Sequence, residues 1–80
     1  MIYPHDVIKS LEANPYQPNW TYLLDELKTY LKHNAGCIAE YREALETGQV
    51  DRYPNVVRIF QSVIATYERA ERLVKKMEES

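Results

Sequence analysis

Two long runs of this chain carry apolar side chains at alternating intervals of three and four residues. In the first, Leu24, Leu27, Leu31, Asn34, Ile38, Tyr41 and Leu45 are separated by 3, 4, 3, 4, 3 and 4 residues. In the second, Val56, Phe60, Val63, Tyr67, Ala70, Val74 and Met77 are separated by 4, 3, 4, 3, 4 and 3. Each run is a seam of coiled-coil type, and its period excludes a strand. Prolines and glycine set the limits. Pro4 opens a short helix over about 4–13, with the apolar stripe Val7, Ile8 and Leu11. Asn14 precedes Pro15 and resists helical angles, so 14–18 is a linker. Asn19 is the expected N-cap of a second helix over about 19–47. Gly48 suits a helix stop, 48–53 forms a turn, and a third helix runs over about 54–78. The prediction is an all-α single domain, 1–80: a short N-terminal helix packed on a long antiparallel hairpin, three helices with coiled-coil-like packing.

The tight turn pairs the seams layer by layer, Leu45 with Val56, Tyr41 with Phe60, Ile38 with Val63, and so on to Leu24 with Met77. Only Asn34 among the fourteen seam residues is conventionally polar. It falls opposite Tyr67, so an Asn34–Tyr67 hydrogen bond is expected to make one polar core layer and to fix register. The weak point is Gly36, because glycine inside a helix costs about 1 kcal/mol relative to alanine. The seam keeps its phase across Gly36, which favours one continuous helix. The alternative is a kink or a C-cap over His33-Asn34-Ala35-Gly36.

The flanks of the seams differ. On one side Leu23, Tyr30, Cys37 and Ala44 face Ile59, Thr66 and Leu73; on the other, Thr21, Lys28, Ala35 and Arg42 face Val57, Ile64, Glu71 and Glu78. One groove is therefore apolar and the other mainly solvated. The first helix, roughly 15 Å long at 1.5 Å per residue, is expected to cover only the part near Leu23, Tyr30 and Leu73. Cys37, Ala44, Ile59 and Thr66, rimmed by Tyr41 and Phe60, remain as the candidate partner-binding groove. Small residues there suit a helix in a groove, with a second copy of the chain as the expected occupant. A heterologous helix is the alternative, and a displaced first helix or a bent hairpin would cover the same residues.

Composition narrows the function classes. Eighty residues bury only about 60–65% of their unfolded surface, so one core gives a narrow stability margin. Cys37 is the only cysteine, which excludes an intrachain disulfide and fits a reducing compartment. Ten bases against twelve acids give a net charge of −2, against the strongly basic balance of a nucleic-acid binder. No apolar run approaches a membrane span, and the N-terminal residues lack the pattern of a signal peptide. The expected location is the cytoplasm. His33, Cys37 and Glu40 share a helical face, but they lack the further ligands of a zinc site. No residue to orient a Cys–His nucleophile and no phosphate loop accompany them. No enzyme activity, metal or cofactor is expected.

Basic residues Lys9, Lys28, Lys32, Arg69, Arg72, Lys75 and Lys76 gather at the end of the hairpin away from its turn, mixed with eight acids. They read as a solvated face, with Glu68–Arg72 and Glu71–Lys75 as helix-surface pairs. Nucleic-acid binding is a third and weaker reading. Seven tyrosines and Trp20 give mild support to a binding role. The stretch Tyr41-Arg42-Glu43-Ala44-Leu45, through Gly48 to Tyr53, resembles the turn region of small helical-hairpin co-chaperones of type III secretion needle subunits. That resemblance covers under half of the chain, and it implies a groove that holds one protein partner. Small viral or plasmid-borne inhibitors of host proteins are equally compatible in size.

Overall fold

Pro4 sits at the first position of helix α1 (Pro4–Ala13), with Asp6 in the first turn where the helix end is positive. The helix stops at Asn14, whose φ of −149° and ψ of 90° lie outside the helical region that a following proline disfavours. The computed structural model describes residues 3–79. Met1 and Ile2, part of the segment inspected for a signal peptide, and Ser80 lie outside the described residues. Helices α2 (Trp20–Glu46) and α3 (Pro54–Glu79) follow.

The linker 14–18 is tied down from an unexpected position. The Gln17 side-chain amide donates to the Ser10 carbonyl at 3.0 Å and to the Asn14 carbonyl at 3.1 Å. These acceptors lie at the open end of α1, so Gln17 satisfies helix-terminal groups. Asn19, by contrast, occupies the cap position of α2 without a side-chain cap. Its angles (φ −99°, ψ 15°) differ from the extended conformation that lets a cap side chain reach back to the first turn.

Helix α2 passes through Gly36 without a break. Gly48 has a φ of +75°, and the Gln49 N–H beyond it donates to the Ala44 carbonyl at 3.1 Å. That six-residue bond is the long closure of a Schellman end, which needs a left-handed residue at Gly48. A β-carbon there would also lie 2.9 Å from the Asp51 carboxylate.

α2 and α3 pack along their length as an antiparallel pair, and α1 touches both. Lys28 meets Glu78 at 3.3 Å at one end, Arg42 meets Glu68 at 3.4 Å further along, and Tyr41 stacks on Phe60 near the turn. The molecule is an elongated body of 46 × 21 × 19 Å. Its core lies at the end away from the turn: Val7, Ile8 and Leu11 of α1 close over Leu24, Leu27, Ala70, Leu73, Val74 and Met77. Leu23 and Tyr30 pack against this cluster, so α1 lies on the expected part of the apolar flank. No helix among the described residues is long and apolar enough to cross a membrane.

Two details of the polar layer differ from expectation. The Tyr67 hydroxyl donates to the Leu31 carbonyl at 3.2 Å, and the Asn34 amide donates to the Tyr30 carbonyl at 2.9 Å. The two side chains do not bond each other. Each finds a backbone carbonyl of α2, which satisfies it without fixing an Asn–Tyr register. The surface pairs also rearrange. Glu68 reaches across to Arg42, and among the described residues Glu68–Arg72 and Glu71–Lys75 are not formed.

Candidate functional site: the open half of the hairpin

The candidate site is the half of the hairpin next to the turn, where only two helices are present. A two-helix pair has one packed seam and two open sides, so its seam residues are covered on one face only. The degree of burial follows. Ile38 and Tyr67, near the middle, are buried, whereas Tyr41, Leu45, Val56, Phe60 and Val63 are half-buried. Away from the turn the seam residues Leu24, Leu27, Ala70, Val74 and Met77 are all buried beneath α1.

The predicted groove residues share this open half. The Cys37 thiol is free and exposed. Ala44 and Thr66 are half-buried, and Ile59 is 58% exposed. The Thr66 hydroxyl donates to the Ser62 carbonyl at 3.1 Å, so its polar atom is engaged by its own helix. Tyr41 and Phe60 stack with ring centroids 4.3 Å apart and planes 12° from parallel. They form one wall of a shallow cleft beside the turn, completed by Glu40, Glu43, Ala44, Gln49 and Val50. On the other side of the seam, Val57 and Ile64 are also half-buried, so apolar surface continues around this part of α3.

Asn34 and Tyr67 bound the site toward the core. Tyr30 lies against Tyr67 with ring centroids 6.1 Å apart. Burial raises the Tyr30 pKa above its ordinary value, and the neighbouring Tyr67 adds to the shift. Both rings belong to the packed part of the molecule and mark where α1 stops covering the hairpin.

Charge along α3 is a signal that seam analysis passes over. Residues 55–67 contain a single charged side chain, Arg58, whereas residues 68–79 contain eight. Depletion of charge on accessible surface marks the centre of protein interfaces more reliably than hydrophobicity alone. The missed residues are thus Arg58, Val57 and Ile64. The facing part of α2 carries Glu40, Glu43 and Glu46 together with Arg42, which pairs with Glu68 of α3.

His33, Cys37 and Glu40 are all exposed along α2, and among the described residues no three side chains of metal-ligating type come together. Comparison with protein-family models, with curated proteins and with solved structures gives no match for this chain.

Proposed function

We propose that this protein is a non-enzymatic helical interaction module of the cytoplasm, and that it self-associates through the open half of its hairpin. One observation carries the reading: α1 covers only the half of the hairpin away from the turn, and beyond it Ile59, Ala44 and the Tyr41–Phe60 stack reach the surface, beside a stretch of α3 with a single charged residue. A contiguous apolar face of this kind on a small chain marks an interaction surface.

A second copy suits the surface for two reasons. Each copy lacks the same layer, so a two-fold axis that apposes the open halves completes both at once as a four-helix bundle. Charge also suits the pairing. Arg58 on α3 of one copy would face the acidic flank Glu40, Glu43 and Glu46 on α2 of the other. Small side chains at Cys37, Ala44 and Thr66 would let the helices approach closely.

Molar mass from light scattering tests the proposal, with Ala44→Glu as the disrupting variant. The expected result is twice the chain mass for the wild type, and the chain mass with a lower melting temperature for the variant. A monomeric wild type whose melting temperature the substitution leaves unchanged would refute it. A monomer that is still destabilised by the substitution would favour a heterologous partner helix instead.

A further inference from the structure

A second feature lies at the opposite end of the molecule, and the self-association proposal makes no use of it. Between α1, the linker and α3 runs a cleft of about 550 Å³. Its floor is apolar: Leu11, Leu73, Met77 and Pro15, with Tyr16 at one side. Its α3 edge carries Arg69, Arg72 and Lys76, spaced three and four residues apart on one helical stripe. Among the described residues, Glu12 is the one acid lining it.

The two outer cations are uncommitted. Arg69 donates to Glu12 through two nitrogens, Nε at 3.0 Å to Oε2 and Nη2 to Oε1. Arg72 and Lys76 form no ion pair among the described residues. The positive field is felt inside the cleft. The Glu12 carboxyl is held below its ordinary pKa, first by the hydrogen bond from Arg69 and further by the charges of Arg69, Arg72 and Lys76. A cluster of three cations on a chain of net charge −2 is a local reversal of the surface potential.

The size and chemistry of the cleft select its occupant. Residues 69–77 span about 12 Å of helix, and the volume falls in the ordinary range of small-molecule sites. A protein interface needs roughly 800 Å² on each side, more than a cleft of this length provides. We propose that this cleft binds a small aliphatic carboxylate, its chain on Leu11, Leu73 and Met77 and its head group between Arg72 and Lys76. In this arrangement the Glu12–Arg69 pair is a competitor. It occupies one of the three cations and places a like charge beside the ligand's head group.

Decanoate, kept below its micelle concentration, is the probe. Trp20, the single tryptophan, packs edge-on to Tyr16 with ring centroids 6.0 Å apart, so its fluorescence reports on the cleft. The full chain is titrated by fluorescence and calorimetry, and circular dichroism verifies the fold of each variant. The expected result is saturable binding with a Kd below about 1 mM, with neither decanol nor acetate reproducing it. Arg72→Glu with Lys76→Glu should weaken binding about tenfold or more, as expected for loss of a charge-assisted contact. Glu12→Gln should tighten it several-fold, and Arg58→Glu at the far end should leave it unchanged. No saturable binding in that range, or binding of equal strength in the Arg72→Glu/Lys76→Glu variant, would overturn the proposal.

Discussion

The two halves of the hairpin are made of the same seam but not of the same protein. Away from the turn, α1 adds a third layer, and Ile8, Leu11 and Leu27 are almost completely removed from water. Near the turn, equivalent seam residues such as Phe60 and Val63 keep part of their surface exposed, and Ile59 keeps more than half. The surfaces diverge in the opposite sense. Along α3, residues 68–79 carry eight charges and residues 55–67 carry one. The contrast teaches that a seam of one period is buried only as far as a third layer covers it.

Core truncation should separate the halves most strongly. Leu11→Ala removes a fully buried side chain and should cost about 3 kcal/mol, most of the stability expected for a domain this small. Val63→Ala, on a half-buried side chain, should cost about 1 kcal/mol in dilute solution, where the proposed partner is absent. Denaturant midpoints at low protein concentration check the pair. Equal losses would mean that the two halves are equally packed.

Backbone substitutions come next, and they should have opposite signs. Gly48→Ala forces a side chain into left-handed angles against Asp51, and should destabilise by about 1–2 kcal/mol. Gly36 lies mid-helix with open space at its missing β-carbon, so Gly36→Ala should stabilise by about 1 kcal/mol. Thermal unfolding of both variants reads this directly, and a destabilised Gly36→Ala would mean that the helix bends there.

The smallest effects are electrostatic, and they belong to the covered half. The Glu12 pKa is lowered in the fold, so the contribution of its bridge to Arg69 is present above the unfolded carboxylate value near 4.3 and lost as pH falls below it. Glu12→Gln should flatten the acid limb of stability against pH. The Tyr30 pKa is raised, so the native state is favoured below pH about 10 and loses stability as pH rises through the folded value. Tyr30→Phe should blunt that alkaline loss.

The three helices and their pairing were legible because their determinants are local. Pro4, Pro15, Gly48 and Pro54 punctuate the chain, and the three–four spacing survives Gly36. The open groove was legible for a related reason, since a ten-residue helix cannot cover a hairpin of twenty-seven and twenty-six residues. Long-range polar choices were not legible. Arg69 finds Glu12 from 57 residues away, and Glu68 takes Arg42 rather than Arg72. Asn34 takes the Tyr30 carbonyl one turn back on its own helix, which needs no tertiary coincidence, and the Tyr67 hydroxyl reaches across from α3 to the Leu31 carbonyl. Gln17 as the tie at the end of α1 carried no recognisable pattern.

The central claim is that the open half is completed by a second copy. Amide hydrogen exchange at two protein concentrations tests it most directly, because it reads the halves separately. The prediction is that amides of residues 37–45 and 56–66 gain protection as concentration rises, while those of α1 and of residues 68–77 change little. Protection that is the same at both concentrations throughout the hairpin would contradict it.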